Sequence, residues 1–362
     1  MLIKSDALER LISAIFRAEG CSEAESGSIA RHLVSSNLAG HDSHGVIRVP
    51  RYVTILRDGL VVRDRKIEVV TENDAMAVLD GGNGFGQSIG EQAVAFGLTK
   101  ARKSGIAIVA LRNSAHIGRI GGWAEIAAEA GYVSVHFVNV AGSMLVAPFG
   151  GVDRRMSTAP FCVGVPRPGE PPMILDFATS LVAEGKVLVA SNGGKKLPEG
   201  ALIEPNGALS TDPQTLYGPI SGPGPRNYRA GKGSIRAMGE HKGSGLAFMC
   251  EILGGALTGG GCAGPEERQR IANGMLSIYM SPAVFGSGDG FAAMTREYLA
   301  FFKSSRPASP GGEVLAPGEP ELRYRAKRLK EGVPLEDETW QALRKTALAA
   351  GISEKWIAEI VG

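Results

Sequence analysis

The side chains of His44, Arg48 and Tyr52 are suited to binding an acid and moving a proton beside it. Each is four residues from the next, so an α-helix would place all three on one face. The planar guanidinium of arginine can pair with a carboxylate through two parallel hydrogen bonds, and histidine titrates near neutral pH. The alternative is a solvent-exposed polar stripe on an ordinary amphipathic helix, with no chemical role.

A second histidine, His116, lies in segment 113–119 (Asn-Ser-Ala-His-Ile-Gly-Arg), which joins a predicted strand to a predicted helix. The partial positive charge of a helix N-terminus disfavours imidazolium, so we expect His116 to be neutral and able to take a proton. A histidine that only caps or packs locally is an equally good interpretation of this segment alone.

Two further junctions could bind phosphate. Asp176 is followed by Phe-Ala-Thr-Ser at the end of a predicted strand, and free backbone amides behind Thr179 and Ser180 would suit a pyrophosphate. His241 and Lys242 open an apolar helix in the sequence His-Lys-Gly-Ser-Gly, where a lysine and backbone amides could hold phosphate or ribose. In both cases the alternative is an ordinary helix start.

Other motifs point away from function. Segment 82–90 (Gly-Asn-Gly-Phe-Gly-Gln-Ser-Ile-Gly) resembles a dinucleotide-binding turn, but its glycine spacing differs and no acidic residue ends the next strand. A tight glycine turn is therefore the better interpretation. His41 and His44 have no third ligand at a suitable spacing, so we predict no metal site. His136 lies on the polar side of an alternating strand, which predicts a structural role.

Composition excludes several classes of protein. The 362 residues carry a net charge of +2 with 21% charged residues, which is too balanced to indicate nucleic-acid or membrane-surface binding. No apolar run approaches the roughly 20 residues of a membrane span, and no secretory signal begins the sequence. We therefore expect a cytoplasmic protein without nucleic-acid or membrane partners.

Mixed helices and strands must position these side chains. Two helices are predicted over 7–18 and 23–38, and Pro50 predicts that the helix after them begins late or bends. Beyond residue 68 strand-like and helical runs alternate, which indicates an α/β or α+β fold. The predicted strands cover 75–79, 106–111, 133–140, 161–165, 173–177 and 275–280, and the helices between them cover 91–103, 119–130, 181–190 and 245–257. A last helix is predicted over 335–350, and a basic stretch with Arg226, Arg229, Lys232 and Arg236 is expected to be a mobile surface excursion.

Taken together, the motifs resemble those of the malate/L-lactate dehydrogenases of the second type. This group includes ureidoglycolate, sulfolactate and diketogulonate enzymes and cyclic-imine reductases. The matching stretches keep the family's order and span most of the chain: Ser43-His44-Gly45 with Arg48 and Tyr52, segment 113–118, Ala-Pro-Phe-Gly-Gly at 147–151, segment 176–180, segment 242–246 and Pro-Gly-Glu-Pro-Glu at 317–321. Two positions depart from the pattern: the family's Gly-Thr-Asn-Pro is Ser157-Thr158-Ala159-Pro160 here, and its Gly-Gly before His-Lys-Gly is Gly239-Glu240.

The resemblance implies an α+β fold that binds nicotinamide without a Rossmann motif, on a largely antiparallel sheet flanked by helices. It also implies a homodimer with its active site near the subunit interface. We expect an N-terminal helical segment over 1–70, a cofactor-binding and catalytic domain over 71–300, and a C-terminal helical segment over 301–362 that packs against the first. The cofactor, NAD or NADP, would be bound by the following residues: Asp176, Thr179, Ser180, Leu181, Val182, Ala183, Glu184, Gly185, His241, Lys242, Gly318 and Glu319.

The predicted reaction is hydride transfer between nicotinamide and the α-carbon of a small 2-hydroxy or 2-oxo acid. Arg48 would hold the substrate carboxylate, and His116 and His44 are the candidates for proton transfer, which the sequence does not rank. Ser43, Tyr52 and Thr158 are expected to be secondary substrate contacts. The alternatives are reduction of a cyclic imino acid such as piperideine- or pyrroline-2-carboxylate, and cofactor binding without catalysis.

Overall fold

A computed structural model of the chain describes residues 1–193, 196–219, 227, 230–264 and 272–361. Within these residues the α-helices are α1 (Ser5–Ala18), α2 (Glu23–Leu38), α3 (Val49–Arg57), α4 (Gly86–Ser104), α5 (Gly121–Glu129), α6 (Glu184–Gly193), α7 (Gln214–Tyr217), α8 (His241–Glu251), α9 (Gly288–Lys303), α10 (Glu319–Glu331), α11 (Asp337–Ala349) and α12 (Glu354–Val361). Single 3₁₀ turns cover Asp42–His44, Val46–Arg48 and Pro282–Val284, and a π-helical turn covers Ile252–Ala256. The strands are β1 (Leu2–Ile3), β2 (Glu68–Glu72), β3 (Met76–Asp80), β4 (Ile106–Ser114), β5 (Val133–Ala141), β6 (Pro160–Val165), β7 (Met173–Ala178), β8 (Leu202–Ile203), β9 (Leu209–Ser210), β10 (Ser234–Ile235), β11 (Ala272–Met280) and β12 (Val333–Pro334).

The main sheet has the strand order β2-β3-β4-β11-β5-β6-β7. Its neighbouring strands are antiparallel except β3 and β4, which run parallel because α4 crosses over between them. This order confirms the predicted largely antiparallel sheet and differs from the parallel sheet of a Rossmann fold. Two small sheets accompany it, with the orders β10-β8-β9 and β1-β12.

The centre of the main sheet is buried on both faces. Of the nine residues of β11, seven are buried, as expected of a strand on which both α4 and the π-helical turn after α8 pack. His136, on the polar side of β5, is also fully buried. Its two ring nitrogens are 2.9 Å from Ser277 Oγ and 3.0 Å from Ser134 Oγ, which satisfies them inside the sheet.

The two ends of the chain meet in a helical layer. β1 pairs with β12, α1 packs on α2 and α12, and α3 packs on α11. A core of aliphatic side chains lies among these helices, including Leu8, Ile12, Leu33 and Leu343. The division into three domains at residues 70 and 300 stays a prediction, and α9 runs across the second of those positions.

Most predicted elements are present with shifted ends. Each predicted strand and each predicted helix between strands has a counterpart, but α6 begins three residues later than predicted and α4 five residues earlier. The sequence pattern did not indicate β2, whose five residues are all exposed, or the helices α9 and α10. Arg226 and Arg229 of the basic stretch lie outside the described residues. No described helix is long and apolar enough to cross a bilayer.

Candidate active site

Three predicted side chains meet although they lie on separate elements. His44 ends the first 3₁₀ turn, Tyr52 lies on α3, and His116 follows β4. The imidazole rings of His44 and His116 stack with centroids 5.6 Å apart and planes inclined by 17°. Tyr52 Oη lies 2.6 Å from His116 Nδ1. A phenol and two imidazoles therefore form one cluster, as the predicted site requires.

The segment before α3 is not the predicted helix. Two 3₁₀ turns precede Val49, so His44 and Tyr52 converge on His116 through a bend rather than along one α-helical face. The late helix start beside Pro50 agrees with the prediction. Asn37 on α2 holds the bend, because its Oδ1 accepts the Val46 amide at 2.8 Å. A side chain at Gly45 would lie 2.1 Å from the same oxygen, so this close approach requires glycine.

Burial keeps both imidazoles of the cluster neutral. The ring of His116 is half-buried, and its pKa is lowered to about 3 by the loss of solvation and then by the charge of Arg48. The pKa of His44 is also lowered, first by the loss of solvation, then by the neighbouring His116 and then by the charge of Arg48. The predicted neutral state of His116 agrees with this direction, but the cause is burial and Arg48 rather than a helix N-terminus, since α5 begins only at Gly121.

Arg48 faces the same space from the second 3₁₀ turn. Its Nε donates to the backbone carbonyl of Ser43 at 2.5 Å, which fixes the plane of the guanidinium. One terminal nitrogen lies 3.9 Å from a carboxylate oxygen of Glu184, so the guanidinium already faces a carboxylate. Ser43 Oγ also lies 3.1 Å from His44 Nδ1. The half-buried arginine is thus held in a position where a planar acid could pair with it.

The loop that carries His116 is anchored by His32, which the sequence pattern did not indicate, by Arg119, and by Asp176, which was predicted to bind the cofactor. His32 on α2 accepts the Arg119 amide at 3.0 Å and stacks on Trp123 with ring centroids 4.4 Å apart. The buried guanidinium of Arg119 pairs with Glu125 at 2.8 Å. Asp176 accepts the Gly121 amide at 2.7 Å, so it caps α5 here. The contacts of His32 with Arg119 and Trp123 are visible only in the structure, because nothing in the sequence around His32 distinguishes it from other residues of α2.

The structure differs from the prediction that free backbone amides lie behind Thr179 and Ser180. The amide of Thr179 donates to Thr158 O at 3.0 Å and the amide of Leu181 donates to Arg236 O at 2.8 Å, so neither is free. Ser180 Oγ donates to Val182 O at 2.9 Å. Because α6 begins only at Glu184, these residues form a bridge to segment 236–238 instead of a helix N-terminus.

That bridge brings two of the predicted cofactor segments together. Segment 236–238 leads directly into His241 and Lys242 at the start of α8, next to the segment that holds Thr179 and Leu181. Leu181 and Lys242 are exposed, Val182 is buried, and Ala183 is half-buried. At the other end of the same segment, a side chain at Gly185 would lie 2.7 Å from Ser43 Cβ. The start of α6 therefore packs directly on the first 3₁₀ turn, which carries His44.

Phe149 covers the start of α8. Its ring lies 5.9 Å from the ring of His241, and its amide donates to Ser244 Oγ at 3.0 Å. Glu240 precedes α8 in a backbone conformation of φ 58° and ψ −123°, and its side chain makes no capping hydrogen bond. The Lys242 amide already donates to Gly239 O at 3.2 Å, so the exposed Lys242 side chain is the group at this helix start that fits an anion such as a phosphate.

Gly318 and Glu319 form a third predicted segment, at the start of α10. Gly318 has a φ of 88°, and a side chain there would lie 3.0 Å from the Ile174 amide of β7. Glu319 is paired with Lys303 and accepts the Ala316 amide at 3.0 Å. The structure thus joins this segment to β7 through backbone packing, and its cofactor role stays a prediction.

No cluster of three or more potential metal ligands occurs among the described residues, and His41 Nε2 lies 3.3 Å from a carboxylate oxygen of Glu321. The carboxylate of Glu321 has its pKa lowered by this hydrogen bond with His41.

Comparison with known proteins identifies relatives over nearly the whole chain. A family model described as malate/L-lactate dehydrogenase matches residues 3–344. Hydroxycarboxylate dehydrogenase B of Escherichia coli O157:H7 is 42% identical over 355 residues, which cover 97% of this chain and 95% of the relative. A solved Escherichia coli protein, provisionally described as a malate/lactate dehydrogenase, superposes with a TM-score of 0.91 at 41% identity, covering 99% of this chain and 98% of that one. The Δ1-piperideine-2-carboxylate reductase of Pseudomonas syringae superposes with a TM-score of 0.81 at 28% identity, covering 96% and 99%.

Proposed function

The chain belongs to the malate/L-lactate dehydrogenase family of oxidoreductases, and from that premise we propose that it transfers a hydride between NAD or NADP and the α-carbon of a small 2-hydroxy or 2-oxo acid. The observation that carries the proposal is the cluster of two neutral imidazoles beside a fixed guanidinium. His44 and His116 stack at 5.6 Å, and the charge of Arg48 acts on both.

Each residue of the cluster has a distinct task in this proposal. Arg48 binds the substrate carboxylate through its terminal nitrogens, because its Nε is already bonded to Ser43 O. His116 exchanges a proton with the substrate oxygen, since a neutral imidazole can act in either direction. His44 hydrogen-bonds the same oxygen, and Ser43, Tyr52 and Thr158 complete the walls of the substrate site.

The cofactor would lie along the two segments that the bridge at Thr179 joins. In this proposal the exposed Lys242 side chain holds phosphate, while Thr179 to Gly185 line the nicotinamide side, next to Ser43. A bound nicotinamide supplies or accepts the hydride at the substrate carbon. The protein holds the acid, excludes water and moves the proton.

Steady-state assays test this proposal. The purified protein would be offered a panel of 2-oxo acids with NADH and with NADPH, and the matching 2-hydroxy acids with NAD and NADP. We expect a change in nicotinamide absorbance with at least one acid, lost in an Arg48→Ala variant. No turnover with any acid under conditions where the cofactor binds would refute the proposal.

Reduction of a cyclic imino acid is the second candidate, supported by the likeness to the piperideine-2-carboxylate reductase. Such a substrate places C=N where the 2-oxo acid has C=O, so Arg48 and His116 would serve unchanged. Comparing kcat/KM for a cyclic imino acid with that for a 2-oxo acid separates the two candidates.

We also propose a homodimer in the cytoplasm. Exposed apolar side chains lie along α8 and the π-helical turn and suit a surface covered by a second subunit. They are Phe248, Met249, Ile252 and Leu257. Light scattering after size-exclusion chromatography would report the mass of the dimer. A Phe248→Glu variant should shift that mass to the monomer, because it places a charge within the apolar surface.

A further inference from the structure

Gln87 lies directly behind the catalytic cluster and has no role in the function proposed above. It is the second residue of α4 and is only 1% exposed. The helix can come this close because residue 86 is glycine: a Cβ there would lie 2.2 Å from the carbonyl oxygen of His116. The glycine turn at 82–86 thus serves to bring the side chain of Gln87 against the cluster.

Hydrogen bonding fixes the orientation of the Gln87 amide. Its Nε2 donates to His116 O and to Tyr52 Oη, each at 3.1 Å. A backbone carbonyl only accepts hydrogen bonds, so the nitrogen has to face it. In the opposite orientation Oε1 would face His116 O, so two acceptors would lie together. Nε2 would then occupy the place of Oε1, which has no hydrogen-bond partner among the described residues. The amide nitrogen therefore donates to the tyrosine oxygen.

This orientation determines where the proton of Tyr52 points. Burial raises the pKa of Tyr52 to about 12, so it is a phenol at neutral pH. Its oxygen already accepts from Gln87, and His116 Nδ1 lies 2.6 Å away. The hydroxyl proton is therefore donated to Nδ1. A neutral imidazole has one donor and one acceptor nitrogen, so the ring carries its own proton on Nε2.

Nε2 is the nitrogen that can reach a substrate. No described residue forms a hydrogen bond with it, whereas Nδ1 is engaged by Tyr52. A ring held in this tautomer presents a proton donor to the site, which suits reduction of a carbonyl or imine.

We propose that Gln87 is a positioning residue that holds His116 in the Nε2–H tautomer, through the hydroxyl of Tyr52, and so prepares the site for reduction. The inference rests on the proposed function. During reduction of a 2-oxo acid the carbon gains a hydride from the reduced nicotinamide, and the oxygen takes the Nε2 proton. Nδ1 takes the proton of Tyr52, which becomes a phenolate bonded by Gln87. After the product leaves, Nε2 takes a proton from solvent and Nδ1 returns its proton to Tyr52, which restores the starting tautomer. Burial raises the pKa of Tyr52, and the charge of Arg48 and the Gln87 hydrogen bond act in the opposite direction, so they offset part of the cost of that phenolate.

Nitrogen NMR of histidine labelled with ¹⁵N tests the tautomer directly in the protein without ligands. The six histidines are few enough to resolve, and comparison with a His116→Gln variant assigns the resonances. We expect a pyridine-type shift for Nδ1 and a pyrrole-type shift for Nε2 of His116. Any other pattern at neutral pH, including the reverse or fast exchange between the two, would overturn the inference.

Two variants connect the tautomer to Gln87. Gln87→Met removes the donor with little change in size, and we expect kcat for reduction to fall roughly 3- to 10-fold, the range for one neutral hydrogen bond, with KM unchanged. In Gln87→Glu the carboxylate should accept the Tyr52 proton and reverse the ¹⁵N pattern. A Gln87→Met enzyme with unchanged kcat, or a Gln87→Glu spectrum that matches the wild type, would contradict the role of Gln87. If one variant fails to fold, the other decides the role of Gln87, and the spectrum of the wild type decides the tautomer.

The two proposals fail separately. The expected tautomer in a protein that turns over no acid would refute the function and leave the assignment of the His116 proton standing. Turnover by a protein whose His116 carries its proton on Nδ1 would refute this inference alone.

Discussion

Replacing Arg48 by lysine tests how the substrate acid is held. The substitution keeps the positive charge but loses the planar fork. In the structure Nε of Arg48 is bonded to Ser43 O at 2.5 Å, which leaves the two terminal nitrogens for a carboxylate, and one of them lies 3.9 Å from Glu184. A lysine ammonium can bond either Ser43 O or the substrate, and it has no second atom with which to hold the other.

The size of the effect follows from the number of hydrogen bonds lost. A bidentate pair that becomes a single contact loses one hydrogen bond to a charged group, worth about 1.5–3 kcal/mol. This range corresponds to a loss of roughly 10- to 100-fold in affinity. The carboxylate is held equally in the ground state and the transition state, so we expect the loss mainly as a higher KM with kcat little changed.

The assay is a set of initial rates at saturating reduced cofactor across a wide range of 2-oxo acid concentrations. Arg51→Lys is a matched control, because Arg51 lies close by in the first turn of α3, is exposed and should give wild-type kinetics. A KM for Arg48→Lys within twofold of the wild type would show that another group binds the carboxylate. The reasoning about the fork would then be wrong.

Four further predictions address the proton carrier, the packing and the electrostatics. His116→Ala should lower turnover roughly 10²- to 10⁴-fold, and a rate near that of the wild type would exclude His116 from proton transfer. Gly86→Ala should lower the free energy of unfolding by about 1–3 kcal/mol, because its Cβ would lie 2.2 Å from a backbone oxygen. Gly288→Ala, which meets no atom within 4 Å, is the control in the same denaturant titration. Glu240→Gly should raise the free energy of unfolding by about 1 kcal/mol, because φ 58° with ψ −123° strains any residue but glycine. An unchanged midpoint of denaturant unfolding would contradict this. Fully buried His136 has its pKa lowered to about 3, so between pH 6.5 and 3 the unfolded chain binds a proton that the native chain does not, and stability falls as the pH falls. His136→Gln should make that decline shallower by about 1.4 kcal/mol per pH unit, and equal slopes would contradict the neutral state.

The strands could be predicted because their signal is local. Alternating or continuous apolar residues mark β4, β5 and β11 whatever surrounds them, and the structure places a strand at each. β2 could not be found this way, because none of its residues is buried and no pattern of burial shaped its sequence. α9 begins with Gly-Asp-Gly, which predicts a turn, but Ser287 caps it by accepting the Gly290 amide at 2.9 Å.

From the sequence, the chemistry of the site could be predicted only as a set of residue types, and not as their arrangement in space. The acid-binding and proton-carrying side chains at 44, 48 and 116 were identifiable because their functional groups suit the reaction. Their mutual geometry depends on contacts between distant segments, such as the Asn37 side chain that shapes the turn before Arg48. Gln87 gave no sequence signal, since a glutamine in a first helical turn is common and only the close packing at Gly86 gives it a partner.

The two departures from the family pattern have a structural consequence that the sequence did not show. Ala159 and Glu240, where the family has asparagine and glycine, both have positive φ, at 25° and 58°. Asparagine and glycine adopt such conformations at low cost, whereas alanine and glutamate do not. Both positions flank the predicted cofactor segments, so this chain carries backbone strain next to its site.

A crystal structure of the complex with nicotinamide cofactor and an unreactive analogue of the 2-oxo acid tests the central claim most directly. The account predicts the acid carboxylate on the terminal nitrogens of Arg48 and the C2 oxygen within about 2.6–3.2 Å of His116 Nε2, with the α-carbon facing the nicotinamide. An acid bound away from both side chains, or a nicotinamide on the far side of the imidazole pair, would contradict it.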